Sequence, residues 1–164
     1  MGYRGTILHK ACYYGNNQKF NDIINSKISK STDLNFYLGF INVADYNGET
    51  PIYLAIRKNR IEMLRFLINN SADLTVKDKN GNTPFEFAIR NKFNDSVLVF
   101  TELTNLINQN LMWIANTFNN PVAITIMMSN APSETRHKIV GQCKRDRMLA
   151  KIQNTMKSFN VRIP

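Results

Sequence analysis

Few residues in this sequence are equipped for catalysis. Only two cysteines and two histidines stand among its 164 residues. Cys12 and Cys143 belong to no Cys-x-x-Cys or Cys/His cluster, so no zinc site is expected. Two lone thiols fit a reducing, cytoplasmic setting. His137 lies between Arg136 and Lys138, which suits a solvated surface better than a catalytic centre. There is no Gly-rich phosphate loop, no Gly-x-Ser-x-Gly elbow and no His-Glu-x-x-His. Paired carboxylates such as Asp73 and Asp78 flank turns. These absences argue against an enzyme, a cofactor or a metal. Long apolar runs are also missing. The densest, Pro121 to Met128, falls far short of the ~20 residues that span a bilayer, so no transmembrane segment is expected and the run reads as a buried helix. No apolar run follows Arg4, so no secretory signal is expected either.

Acidic residues are scarce. Twelve Asp+Glu face 21 Lys+Arg, giving a net charge of +9 and a pI near 9.7. The excess is uneven: residues 1–100 carry 13 cations against 9 acids, and residues 101–164 carry 8 against 3. A basic tail of this kind suits nucleic acid, an anionic membrane or an acidic protein, or simply forms a solvated helix face. Hydrophobic residues make up 43% of the chain, enough for a real core.

What the chain does have is an internal echo. Asp45-Tyr46-Asn47-Gly48-Glu49-Thr50-Pro51 recurs 33 residues later as Asp78-Lys79-Asn80-Gly81-Asn82-Thr83-Pro84, and Ala55-Ile56-Arg57 recurs as Ala88-Ile89-Arg90. Such a period marks stacked repeats, which present extended surfaces. Asn-Gly signals a tight turn, because Gly takes a positive φ at little cost. Thr then caps a helix, and Pro fits its first turn because its missing N–H would be unpaired there. The first helix is expected over Ile52 to about Lys58 and the second over Ile61 to about Asn69. In the next unit the first helix carries Phe85, Phe87, Ala88 and Ile89, and the second runs from about Asp95 to Leu103.

These residues resemble the ankyrin repeat. Gly48-Glu49-Thr50-Pro51-Ile52-Tyr53-Leu54-Ala55 and Gly81-Asn82-Thr83-Pro84-Phe85-Glu86-Phe87-Ala88 match its core motif. Gly5-Thr6-Ile7-Leu8-His9-Lys10-Ala11 is a degenerate first copy that keeps His9, whose implied role is a structural hydrogen bond to Thr. Tyr53 and Glu86 replace that His. The resemblance implies an all-α ankyrin-repeat solenoid with short turn or hairpin tips and a helical C-terminal extension. Repeats occupy residues 1–103, with an insertion near 26–40. Residues 104–130 lose the 33-residue phase and read as a diverged capping repeat. Residues 131–164 read as a basic C-terminal helix from a Ser133/Glu134 start to about Phe159; its apolar stripe shifts phase near Lys144–Arg147, which implies either a bend there or two stripes that face different partners.

The resemblance also implies a non-enzymatic protein-interaction module. Its concave groove is formed by turn tips and first helices. The positions that map onto this groove are Tyr13 and Tyr14 in the first copy. In the second they are Ala44, Tyr46, Asn47, Glu49, Arg57 and Lys58; in the third, Lys77, Lys79, Asn80, Asn82, Arg90 and Asn91. Tyrosines and cations dominate, so an acidic protein segment is the expected partner. Small divergent ankyrin proteins of this composition resemble those that intracellular bacteria and large DNA viruses direct at host proteins, so a host-directed effector is a further expectation. Nucleic acid at the basic C-terminal helix is the alternative reading. It would use Arg136, Lys138, Lys144, Arg145, Arg147, Lys151 and Lys157 and weaken steeply with salt. A third is a membrane-surface helix using Met148, Leu149, Ile152, Met156 and Phe159.

Overall fold

The structure is a computed structural model that describes residues 6–15, 17–28, 39–145 and 149–158. It divides into two compact units, Met1–Phe87 and Ala88–Pro164, with the boundary inside one helix. Among the described residues there is no β-strand; the chain is an all-α ankyrin-type fold. The described part of unit 1 holds α1 (Ile7–Tyr14), α2 (Asn17–Ile28), α3 (Pro51–Arg57), α4 (Ile61–Asn69) and the start of α5 (Pro84–Arg90). The end of α5, α6 (Asn94–Leu103), α7 (Gln109–Thr117), α8 (Pro121–Asn130), α9 (Ser133–Arg145) and α10 (Leu149–Ser158) belong to unit 2. Of the expected insertion, residues 26–28 end α2, and 29–38 lie outside the described residues.

In unit 1, α1 packs on α2 and α3, and α3 packs on α4. Leu8, Ala11, Phe20, Ile52, Leu54, Ile56, Leu64 and Leu67 are buried there, and each large apolar side chain removed from water contributes about 1.5–3 kcal/mol. Phe20 meets Phe66 edge to face, with ring centroids 5.2 Å apart. The Cys12 thiol is enclosed, and burial pushes its pKa up to about 12, which leaves it protonated and unreactive.

The turn after each first helix is built one way throughout. Gly15, Asn59, Lys92 and Asn119 all take positive φ, at 72°, 51°, 59° and 48°. The three later turns share a pair of bonds. Arg60 N–H reaches Ala55 O at 2.8 Å, Phe93 N–H reaches Ala88 O at 3.0 Å, and Asn120 N–H reaches Ala115 O at 2.8 Å. The residue before each donates to Ile56, Ile89 and Asn116. This 6→1 and 5→2 pairing is a Schellman ending, which satisfies the last free carbonyls of a helix. Residues 104–130 therefore repeat the helix–turn–helix geometry of the earlier copies, but Ala115 follows Ala88 by 27 positions instead of 33. The missing length lies in the connection. Residues 70–83 join α4 to α5 and contain a tip; residues 104–108 join α6 to α7 and do not.

In unit 2, α8 packs on α6, α7 and α10, and α9 packs on α7 and α10. Val97, Phe100, Met112, Ile114, Met127, Ile139, Ile152 and Met156 are buried. Asn120 is buried and joins two elements: its Oδ1 accepts from Ala123 N–H at 3.0 Å, and its Nδ2 donates to Ile89 O at 3.0 Å. The C-terminal segment expected as one long helix is described as two, α9 and α10. The residues between them, 146–148, lie outside the described set, as does Phe159. Ile152 and Met156 face the core of unit 2, which counts against the third reading, a membrane-surface helix.

Candidate functional site

The two tips of unit 1 superimpose in their bonding. In the first, Asp45 N–H donates to Glu49 O at 2.8 Å and Gly48 N–H donates to Asp45 O at 3.0 Å. The Asp45 carboxylate accepts from Asn47 N–H at 2.8 Å and Glu49 N–H at 3.0 Å. In the second, Asp78 N–H donates to Asn82 O and Gly81 N–H to Asp78 O, both at 2.9 Å, and Asp78 accepts from Asn80 and Asn82 N–H, both at 2.9 Å. An Asp side chain that holds turn N–H groups stands in for a backbone turn. Gly48 and Gly81 take φ of 73° and 76°, where a Cβ would be strained.

Each tip is tied to the helix before it. His9 is buried, and its Nε2 lies 2.9 Å from Glu49 O, so Nε2 carries the proton and donates. Its Nδ1 then accepts from the Thr6 hydroxyl at 2.6 Å, and the same hydroxyl accepts from His9 N–H at 3.4 Å. Burial lowers the His9 pKa, against weaker opposing effects from its bond to Glu49 and from Asp45. One repeat on, Tyr53 takes over this role. Its hydroxyl lies 2.7 Å from Asn82 O, the position equivalent to Glu49 O, and 2.6 Å from Val76 O. Burial, assisted by the nearby Asp78 charge, raises the Tyr53 pKa well above the usual phenol value.

The substitution has a local consequence. Thr50 loses its His partner, makes no cap bond, and its buried hydroxyl has no hydrogen-bond partner. This corrects the expectation that Thr50 caps α3. Thr83 and Glu86 solve the same problem differently. Thr83 N–H donates to Glu86 Oε2 at 2.9 Å and Glu86 N–H donates to Thr83 Oγ1 at 3.4 Å, a reciprocal capping box.

The expected partner-binding residues separate into outward and inward groups. Tyr46 is 89% exposed and Tyr14 59% exposed. Ala44, Asn47, Lys77, Lys79 and Asn80 are exposed as well. Tyr13 is half-buried, packs edge to face on Tyr14 and lies under the Lys58 ammonium, 4.2 Å from its ring centre. Glu49 and Asn82 are buried, so neither offers a contact surface. Asn82 Nδ2 donates to the Asp78 carboxylate at 3.3 Å. Glu49 pairs with Arg57, whose guanidinium also lies over the Phe87 ring at 5.4 Å. Arg57 is therefore a support for the tip as well as an exposed cation. In unit 2, Asn91 is exposed and Arg90 lies over the Phe118 ring at 4.3 Å.

The tips thus sort their charges. Asp45, Glu49 and Asp78 turn their carboxylates onto backbone N–H groups or Arg57, while Tyr46, Asn47, Lys77, Lys79 and Asn80 are exposed. Position 49 carried the signal for its inward placement in the sequence itself. Asp45-x-x-Gly48-x49 is a closed turn, and its last residue leads straight into a buried helix.

Among the described residues, no helix is long and apolar enough to cross a membrane, and no group of three or more His, Cys, Asp or Glu could hold a metal ion.

A family model of ankyrin repeats matches residues 8–112 with three copies. The candidate E3 ubiquitin-protein ligase XBAT31 of Arabidopsis thaliana is 33% identical over 70 residues, which span 42% of this chain and 15% of that protein. The crystal structure of EF0377, an ankyrin repeat protein, matches 78% of this chain and 63% of its own at 15% identity with a TM-score of 0.60. The chain covers less than two thirds of either relative's own length.

Proposed function

The chain belongs to the ankyrin-repeat family, whose repeats generally mediate protein–protein interaction, and on that premise we propose that the tips and first helices of unit 1 bind an acidic segment of a protein partner. The contact residues are Tyr13, Tyr14, Tyr46, Asn47, Lys58, Lys77, Lys79 and Asn80, with Arg57 exposed at their edge. Glu49 and Asn82 shape the tips from inside. One observation carries this reading: every carboxylate of the two tips is engaged inward, while Tyr46, Lys77 and Lys79 stand in solvent. Tyrosine supplies contact area at low entropic cost, and cations left facing water favour carboxylates in a partner. Arg90 and Asn91 carry similar chemistry within unit 2.

Affinity capture with the intact protein, beside the variant Tyr46→Ala/Lys77→Ala/Lys79→Ala, tests the proposal. All three side chains are exposed, so the variant leaves the tips' internal bonds in place. A protein partner lost with the variant, and released by raised salt, is the expected result. Capture that ignores these changes, or that recovers only nucleic acid, contradicts it.

A further inference from the structure

We infer that Arg90, seated on the Phe118 ring, holds a glutamate side chain of a protein partner, in the way that Arg57 holds Glu49 within the chain. The inference rests on the protein-binding reading above but on none of the tip residues of unit 1. The two arginines are repeat equivalents: each stands two positions after a buried alanine, Ala55 or Ala88. Each guanidinium lies over an aromatic ring supplied by the next repeat, Arg57 at 5.4 Å from the Phe87 centre and Arg90 at 4.3 Å from that of Phe118. They differ in their counter-ion. Arg57 is paired with Glu49, six residues before Ala55. The residue six before Ala88 is Asn82, which carries no charge and gives its amide to the Asp78 carboxylate. The second arginine keeps the ring and lacks the acid.

Nothing else among the described residues takes the place of that acid. Glu86, one turn earlier on the same helix, accepts from Thr83 N–H at 2.9 Å, and no ion pair involves Arg90 among the described residues. Arg90 is half-buried, and its Nε is enclosed without a hydrogen-bond partner. The ring covers one face of the guanidinium, so the Nη groups are the part left for a ligand. Phe118 is itself 36% exposed, which puts the stack at the surface of unit 2. A cation stripped of part of its water and given no counter-ion favours a carboxylate, which the planar fork can take with two parallel bonds. Arg60 and Arg136 also enclose an unbonded Nε. Arg60, however, reaches Tyr14 O at 3.5 Å, and neither lies over a ring among the described residues. Stacking fixes the plane of Arg90 before any ligand arrives, which lowers the ordering cost of the contact. Glutamate is the occupant because the chain's own pair at Arg57 sets that precedent.

The probe is a blocked peptide of alternating glutamate and glycine, titrated into the full-length protein while the arginine Nε–H resonances are followed. Arg90→Lys deletes one of these resonances and so assigns it. The Arg90 resonance is expected to shift saturably, and to stay still with the same peptide carrying glutamine in place of glutamate. Arg57, already paired, is expected to move less. Phe118→Leu, which removes the ring, is expected to weaken the Arg90 contact by about threefold. An Arg90 resonance unmoved at millimolar peptide overturns the inference. Equal movement of Arg57, an equal response to the glutamine peptide, or an unchanged midpoint in Phe118→Leu does so too. In Tyr46→Ala/Lys77→Ala/Lys79→Ala the Arg90 shift is expected to remain; its loss there would place the peptide on the tip face and overturn the inference. The capture experiment above reads the tips alone, so the two proposals fail separately. The wild-type shift is read without any substitution, so misfolding of a variant cannot mask the outcome.

Discussion

Tyr53 and Trp113 hold the same position in their repeats, two residues before a buried alanine, yet one is sealed and the other faces solvent. Tyr53 is fully buried, and its hydroxyl sits between two backbone carbonyls of the next tip. Trp113 is half exposed with its donor unused. Both lie on helices with the same Schellman ending. What differs is the length of chain that follows. Residues 70–83 leave room for a tip, whereas 131–132 are only enough to turn a corner. A repeat position is therefore sealed or exposed according to the connection after it, with the helix ending unchanged.

The largest effect is expected where a tip is held by charge. Arg57→Ala leaves the buried Glu49 carboxylate without its partner. Breaking a buried ion pair costs about 3 kcal/mol at the low end of its range, and the low end applies because Arg57 is 41% exposed and water can replace it. Urea unfolding should record that loss, and Arg57→Lys should restore part of it.

Next comes the comparison itself. Tyr53→Phe removes the single buried O–H that reaches the Val76 and Asn82 carbonyls and is expected to cost about 1–3 kcal/mol. Trp113→Phe removes an unpartnered, exposed N–H and is expected to stay within about 0.5 kcal/mol. Equal costs for the two would break the distinction.

The smallest and most diagnostic effect is the pH dependence of His9. Its folded pKa lies below the ordinary 6.5, because burial disfavours the imidazolium. The unfolded chain therefore binds more protons than the folded one as pH falls through 6.5. Stability should be full above that value and decline below it. Thermal unfolding at pH 7.5 and pH 5.5 should show a lower midpoint at pH 5.5, and His9→Gln should reduce that difference. A midpoint that rises on acidification contradicts the assignment.

Much of this was legible in the residues. The 33-residue echo, Asn-Gly before Thr-Pro, and the buried alanines identify the repeats because turn chemistry and helix starts are local. The helix Ile61–Asn69 matches its expected bounds. Less legible was anything decided by what faces a side chain. Glu49 and Asn82 read as surface residues on a polar tip, but a closed Asp-led turn directs its last residue inward. Thr50 read as a cap, but its neighbour at position 53 is Tyr, which bonds onward to the next tip and not back to Thr. The fourth helix pair escaped a search at a fixed period because its shortened connection moved Ala115 to 27 residues after Ala88. Four residues at positive φ mark the register instead, and three of them are Asn or Lys, not Gly, so composition alone did not reveal it.

The central claim is that the tip face of unit 1 is where a protein partner binds. Its most direct measurement is amide hydrogen exchange of the intact chain with and without the captured partner. Slowed exchange at 44–49 and 77–82 is the predicted footprint, with α9 and α10 unchanged at the basic end. Protection confined to 133–158, with the tips exchanging freely, would contradict it.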